Sequence, residues 1–191
     1  MKDLLFLGSV IRADEEERAA LRPIARNTQK YGEMLDEYAR IVGMADDAGM
    51  WGVGGTEHHF QTEGGETMPN ALLLWSKLAA QTKQIKFVPL SIVLPAHDPL
   101  RVAEDLALFD NMYPGRLGGV SMARGYQSRW MYTLTQENHS AAGPHNPDAD
   151  AANRARFEEY LEVVQKAWHE DSWSFDGEYY KVPFPPEGIP H

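Results

Sequence analysis

The chain has 191 residues, of which 43% are hydrophobic and 24% charged, a composition typical of a globular protein with one sizeable core. It carries 18 basic and 28 acidic residues, a formal net charge of −10, and has no lysine/arginine cluster, so we do not expect it to bind nucleic acid. No apolar run approaches the roughly 18 residues of a membrane span. The absence of cysteine excludes disulfides and thiolate chemistry and is compatible with a reducing cytoplasm.

Strand and helix patterns alternate along the chain. The brief apolar run near the start is soon followed by acidic residues, so it does not predict a signal peptide. Apolar runs predict four strands, at residues 4–10, 51–56, 85–94 and 116–122. Apolar residues at helical spacing predict four helices, at residues 34–50, 69–81, 98–113 and 154–170. Residues 12–30 are predicted to be a long charged excursion, and residues 135–150 a flexible insertion.

Local signals mark the ends of several elements. Asp98 followed by Pro99 is typical of a helix start, and Pro114-Gly115 ends the same helix. Asp176-Gly177, between two short aromatic-rich runs, predicts a hairpin within residues 173–182.

Four strand–helix units in succession favour a parallel sheet with right-handed crossovers. The fold class is therefore α/β of the (β/α)8 TIM-barrel type. A complete barrel has eight strands and about 250 residues. We expect residues 1–191 to be a single barrel domain, with the first four units, an extra helix and a hairpin, truncated before the fifth barrel strand.

The second predicted strand runs into Glu57, His58 and His59. Barrel enzymes carry catalytic residues at the carboxyl ends of their strands. Successive strand residues point to opposite faces, so one histidine is expected to face the barrel mouth and the other the helical layer, which argues against a metal bound by both. A structural hydrogen bond is the alternative for each. The glycines of this strand, Gly52, Gly54 and Gly55, do not form a dinucleotide-binding fingerprint, because they lie inside the strand and no helix begins directly after them.

Two further residues lie beyond later strands. His97 follows the third predicted strand, and it either completes a ligand set with His58 or lies at the surface. Arg124 follows the fourth, next to Gly125, where its guanidinium suits an anion at the barrel mouth or pairs with a surface carboxylate.

The chain resembles the bacterial luciferase-like family of flavin-dependent monooxygenases. The resemblance rests on the order and spacing of five segments: Thr56-Glu57-His58-His59-Phe60, residues 92–105 beginning Ile92-Val93-Leu94-Pro95, Leu108-Phe109-Asp110, Pro114-Gly115-Arg116-Leu117 and Ala123-Arg124-Gly125-Tyr126.

The resemblance implies a cofactor and a site. In that family reduced flavin mononucleotide (FMN) reacts with dioxygen as co-substrate to give a C4a-peroxyflavin, which oxygenates an aldehyde or another small organic substrate. His58 matches the mouth histidine that assists proton transfer. Leu90-Ser91 falls where the family often has a non-proline cis peptide beneath the flavin ring. Arg124 matches the arginine that contacts the flavin, with Ala123 and Tyr126 beside it.

The resemblance also implies partners. The family's phosphate-binding backbone follows the fifth strand, which this chain does not contain, and four barrel strands leave open edges and an uncovered apolar face. We expect a small-molecule substrate, a flavin reductase, and either a homo-oligomer or a complementary half-barrel chain, with no nucleic acid, no membrane and a cytoplasmic location.

Two alternatives remain open. One is a non-catalytic half-barrel fragment or interaction module that needs a complementary chain. The other, weaker one is a metal-dependent barrel hydrolase that uses His58, His97 and a carboxylate.

Overall fold

The computed structural model describes residues 2–124, 133–134 and 147–183, which fall into two compact units. The first unit comprises Met1–Ile92 and Leu108–Met122, and the second comprises Val93–Ala107 and Ala123–His191.

A parallel sheet forms the centre of the first unit. Its strands are β1 (Leu4–Phe6), β2 (Gly52–Thr56) and β3 (Lys86–Leu90), in the order β1-β2-β3. The segment 116–121 runs beside β3: the Phe87 amide donates to the Arg116 carbonyl at 2.7 Å, and the Ser121 amide donates to the Pro89 carbonyl at 2.8 Å. Parallel strands followed by helices confirm the predicted α/β class and are consistent with part of a barrel.

In the described part of the chain, these strands are accompanied by the helices α1 (Glu15–Ala20), α2 (Thr28–Asp47), α3 (Ala71–Gln81), α4 (Pro99–Met112) and α5 (Pro147–His169), and residues 133–134 are also helical. Side-chain caps begin α1 to α4, through Asp14, Asn27, Asn70 and Asp98 respectively, each within 3.0 Å of an amide nitrogen three residues on. The cap predicted at Asp98 is thereby confirmed. In the described part of the chain, no helix combines the length and hydropathy needed to cross a bilayer.

Several predicted boundaries were wrong. The first predicted strand, residues 4–10, is regular only over β1 (Leu4–Phe6), and the helix predicted from residue 34 begins at Thr28. The excursion over residues 12–30 contains α1, a 3-10 turn at Ile24–Arg26 and the start of α2, because side-chain caps initiate helices in a charged stretch. The predicted strand 85–94 breaks after β3, continuing as β4 (Ile92–Val93) and a 3-10 turn (Leu94–Ala96). Of the predicted strand 116–122, only β5 (Met122–Ala123) is regular, and it pairs with β4; glycines at 118 and 119 weaken the rest.

In the second unit, α5 packs against the 3-10 turn. It begins at Pro147, so the end of the predicted flexible insertion is helical; residues 135–146 lie outside the described residues. Strands β6 (Phe175–Asp176) and β7 (Lys181–Val182) form the predicted antiparallel hairpin. The Glu159 carboxylate accepts hydrogen bonds from the amides of residues 178–180 and so ties the hairpin to α5.

The two faces of the parallel sheet have different surroundings. On the outer face, Val53 and Phe87 are fully buried against Trp75 of α3 and other helical side chains. On the opposite, inner face, Leu4 and Phe6 remain 42% and 55% exposed. Parallel sheets are normally covered on both faces, so the inner face is an apolar surface of the kind that the rest of a barrel would bury.

A buried carboxylate and a guanidinium hold the turn between α3 and β3. Asp46 accepts hydrogen bonds from the amides of Lys83, Gln84 and Ile85 at 2.7–2.9 Å. Arg116 donates to the carbonyls of residues 82 and 85. Burial alone would raise the pKa of Asp46, but the three amide donors and the Arg116 charge outweigh it and lower the pKa below its usual value. The turn is therefore fixed by charged groups from distant positions.

Candidate active site

The carboxyl ends of β1, β2 and β3 lie along one edge of the sheet, because the three strands are parallel. Phe6 pairs with Gly54, and Thr56 pairs with Leu90. A Cβ atom added to Gly54 would lie only 2.6 Å from Cδ1 of Leu90, so the absence of a side chain at position 54 makes room for this leucine. The inner face near this edge therefore carries apolar side chains over a glycine floor.

The loops that follow β1 and β2 are bound to each other. The amide and hydroxyl of Thr67 both donate to the Ser9 carbonyl, at 2.8 and 3.0 Å, and the Ile11 amide donates to the Gly64 carbonyl at 2.8 Å. The Tyr31 hydroxyl of α2 donates a hydrogen bond to the Thr67 carbonyl at 2.7 Å. The loop after β2 is thus hydrogen-bonded both to the loop after β1 and to α2.

His58 lies just beyond β2, on the same side as Thr56. Its Nε2 is 2.6 Å from Oε2 of Glu66, and the Thr56 hydroxyl donates to that same oxygen at 3.0 Å. The His58 amide donates to the Met68 carbonyl at 2.9 Å. The His58 side chain remains 25% exposed and that of Glu66 33%, so the pair is accessible to a ligand.

His59 has different surroundings from its neighbour. Its Nε2 is 2.6 Å from Oε1 of Glu57, and their side chains are only 15% and 7% exposed. The two histidine rings therefore engage different carboxylates, Glu66 and Glu57, as expected for residues on opposite sides of an extended chain. A largely buried hydrogen bond of this kind is what the structural alternative for His59 predicts.

Leu90-Ser91 does not have the cis peptide that the family resemblance implied. In the described residues the cis bonds are Arg22-Pro23 and Val182-Pro183. Instead, Ser91 adopts a left-handed backbone conformation with φ of 69°. Such a φ is uncommon for a residue other than glycine, and backbone outliers of this type cluster at functional sites. The chain therefore turns out of β3 through Ser91 itself.

In the second unit, Ala123 lies in β5 and Arg124 follows it. Nη1 of Arg124 is 2.8 Å from Oδ1 of Asp150 in α5, and the two side chains are 32% and 29% exposed. This ion pair matches the second role predicted for Arg124, pairing with a surface carboxylate. The remaining N–H donors of the Arg124 guanidinium could still bind an anion. Tyr126 lies outside the described residues.

The metal-dependent alternative calls for His58 beside a carboxylate, and Nε2 of His58 lies 2.6 Å from that of Glu66. His97 lies in the second unit, directly after the 3-10 turn, and its amide donates to the Leu94 carbonyl at 3.0 Å. A hydrolase using these two histidines stays a prediction, which metal analysis of the purified protein would test.

Sequence reasoning missed Glu66. It is one of many acidic residues in the chain, and it lies in a polar glycine-bearing loop with no helical or strand pattern. The only signal was its position in the loop that follows β2. A loop that folds back toward the end of its strand brings its side chains close to His58. Its partner could be found only from coordinates.

Comparison with known proteins identifies the family of this chain. The luciferase-like monooxygenase family profile matches residues 19–191, and the chain belongs to that family. It is 27% identical over 169 residues to 3,6-diketocamphane 1,6-monooxygenase of Pseudomonas putida, covering 86% of this chain and 43% of that protein. It is also 27% identical over 159 residues to the oxygenase component of a flavin-dependent trigonelline monooxygenase of Acinetobacter baylyi, covering 83% and 39%. The chain thus spans less than half the length of these relatives.

Solved structures show the same fold. The oxygenating constituent of 3,6-diketocamphane monooxygenase from Pseudomonas putida, in complex with FMN, aligns with a TM-score of 0.70 at 22% identity, covering 95% of this chain and 43% of that one. The monooxygenase RslO1 of Streptomyces bottropensis aligns with a TM-score of 0.69 at 24% identity, covering 95% and 47%. The chain accordingly has the fold of about half of a luciferase-like barrel.

Proposed function

We propose that this chain is the first half of an FMN-dependent monooxygenase, which uses reduced FMN and dioxygen to oxygenate a small organic substrate. The observation that carries the proposal is the accessible His58 at the carboxyl end of β2, held by Glu66 on the inner side of a luciferase-like sheet. Family membership supports the reaction class, and the trigonelline relative is flavin-dependent. We further propose that residues 1–191 belong to one barrel domain.

The described residues fit a flavin in chemical character. The flat isoalloxazine ring needs an apolar floor, and the inner face offers Phe6 and Leu90 above Gly54. Polar groups stand at the edge of this floor, namely the imidazole of His58 and the turn at Ser91. We propose Leu90 and Ser91 as contacts for the ring, and Ala123, Arg124 and Tyr126 as further cofactor contacts.

His58 is the proposed catalytic residue. Bound reduced FMN would supply the two electrons with which one oxygen atom of dioxygen enters the substrate and the other leaves as water. Protons must be delivered to the departing oxygen, and an imidazole changes its charge near neutral pH, which suits this task. We therefore assign His58 the transfer of a proton at the site.

The proposed activity requires the second half of the barrel. A net charge of −10 opposes binding of an anionic phosphate, and one arginine that already pairs with Asp150 does not overcome it. We propose that further polypeptide, in this chain's natural protein or in a complementary chain, covers the inner face and completes the phosphate site. A flavin reductase would supply reduced FMN, consistent with the relative that is an oxygenase component.

The direct test is turnover by the complete barrel. The 191-residue chain, joined to or co-purified with the polypeptide that completes it, is supplied with reduced FMN and dioxygen. A panel of small organic substrates that includes 3,6-diketocamphane and trigonelline is then examined for oxygenated products. Oxygenation of a panel member supports the proposal, and failure of the complete assembly to bind reduced FMN would contradict it.

A second candidate function has one observation in its favour. The exposed Phe6 and Leu4 would suit a non-catalytic half-barrel module that associates through its open face. Light scattering followed by flavin titration separates the two functions. A stable assembly of defined mass that binds no reduced FMN favours the module, whereas an assembly that binds it favours the monooxygenase.

Replacing Arg124 with alanine is expected to weaken FMN binding to the complete barrel by about tenfold or more, because a charge-assisted hydrogen bond is lost. Arg101→Ala is the matched control, since Nη1 of Arg101 likewise lies 2.8 Å from a carboxylate, that of Glu104, on the surface of α4. Fluorescence titration of FMN gives both dissociation constants. An unchanged constant in Arg124→Ala would remove this arginine from the cofactor site.

A further inference from the structure

Glu66 is restrained along both its backbone and its side chain. Its backbone is left-handed, with φ of 50°, and the next residue, Thr67, makes two hydrogen bonds to the Ser9 carbonyl. Its carboxylate accepts the Thr56 hydroxyl proton, and a Cβ atom on Gly8 would lie 3.6 Å from its Oε1. The backbone next to Glu66 is therefore anchored to the loop after β1, and its carboxylate is hydrogen-bonded to the end of β2.

These contacts determine which nitrogen of His58 carries the proton. A carboxylate can only accept hydrogen bonds, and a neutral imidazole has one donor nitrogen and one acceptor nitrogen. Nε2 of His58 lies 2.6 Å from Oε2 of Glu66, a distance at which two unprotonated lone pairs would repel each other, so we expect the proton on Nε2. Among the residues that the structure describes, none makes a hydrogen bond to Nδ1 of His58. The neutral ring is thus expected to present Nδ1 as its accepting atom.

We propose that Glu66 is the positioning residue of His58: it accepts the Nε2–H, sets the ring's tautomer and orientation, and leaves Nδ1 to exchange protons at the site. The catalytic consequence rests on the proposed monooxygenase function, whereas the tautomer does not. A purely structural role, in which Glu66 only ties its loop to β2, would leave the tautomer of His58 free to vary.

The decisive variant is Glu66→Gln. A glutamine amide can both donate and accept, so it does not impose a tautomer on the ring. Glu63→Gln is the matched control, because Glu63 lies in the same loop but pairs with Arg22 at 2.9 Å on the surface. If Glu66→Gln fails to fold, Glu66→Asn replaces it, since asparagine tolerates the left-handed backbone and its amide is too short to reach His58.

The first readout needs no cofactor. Long-range proton–nitrogen correlation spectra of the 15N-histidine-labelled chain, recorded over a pH series that reaches the neutral ring, report the tautomer of His58. We expect a single Nε2–H tautomer in the unmodified chain and in Glu63→Gln, and a mixture in Glu66→Gln. A mixture in the unmodified chain, or a single Nε2–H tautomer in Glu66→Gln, would overturn the proposal.

The second readout is turnover by the complete barrel, where Glu66→Gln is expected to lower kcat by about tenfold or more with KM nearly unchanged, because proton transfer is impaired while binding is not. If the complete barrel shows no monooxygenase activity but the tautomer depends on Glu66, the proposed function fails and the positioning role stands. If kcat does not change in Glu66→Gln while the unmodified barrel is active, Glu66 is not a positioning residue.

Discussion

Replacing His58 with alanine is expected to lower the turnover of the complete barrel by about 10²–10⁴-fold, the range that a positioned proton-transfer group contributes. The His58 side chain is 25% exposed and lies beyond the end of β2, so its removal should leave the fold intact. Steady-state rates of substrate oxygenation measure the effect, and unfolding of the 191-residue chain in urea verifies its stability.

His169→Ala is the matched control for this variant. His169 is an exposed residue at the end of α5, and its ring Nδ1 lies 3.0 Å from the Gln165 carbonyl of the same helix. The His169→Ala variant loses the same type of side chain outside the proposed site, so its turnover should equal that of the unmodified protein. If His58→Ala also turns over normally, His58 is not the catalytic residue.

Replacing Asp46 with asparagine is expected to reduce the free energy of unfolding of the 191-residue chain by about 3 kcal/mol, since hydrogen bonds to a charged group contribute about 1.5–3 kcal/mol each and buried donors are costly to leave unpaired. An asparagine keeps only one acceptor oxygen for three amide donors, and its own amide group would face them. Urea unfolding at pH 7 measures the loss.

The effect of Asp46 depends on pH in a defined direction. Because the pKa of its carboxyl is lowered in the folded state, the stabilisation is present above the unfolded value, about 4, and is lost as the pH falls through the folded value. The stability difference between Asp46→Asn and the unmodified chain should therefore shrink in acid. Asp47→Asn, at the exposed neighbouring position, serves as control. Equal stability of Asp46→Asn and Asp47→Asn at pH 7 would contradict the account.

Short-range signals in the sequence predicted much of the fold. The Asp98 cap and the hairpin at Asp176-Gly177 were confirmed, because each depends on residues a few positions apart. The parallel strand–helix units were confirmed as well, because each strand and helix has its own local pattern. His58 was identified from its place at a strand end, and the structure shows it there. Whether it acts in catalysis stays a prediction.

The remaining features depend on contacts between distant residues. The turn after α3 is held by Asp46, 37–39 residues away, and no local pattern marks that carboxylate as buried. Glu66 reaches His58 only because the loops after β1 and β2 are bound together. The family resemblance predicted a cis peptide at Leu90-Ser91. In the structure, Ser91 instead adopts a left-handed backbone conformation with φ of 69°. Patterns among neighbouring residues carry no information about contacts between residues far apart in the sequence.

The central claim is that His58 lies at the flavin site of the completed barrel. It is tested most directly by adding reduced FMN, without oxygen, to the assembly that contains the 15N-histidine-labelled chain, and following the imidazole signals. The account predicts that reduced FMN binds and shifts the ring nitrogens of His58, while those of His169 stay unchanged. Binding of reduced FMN that leaves His58 unperturbed would contradict the claim, as would an assembly that binds no FMN.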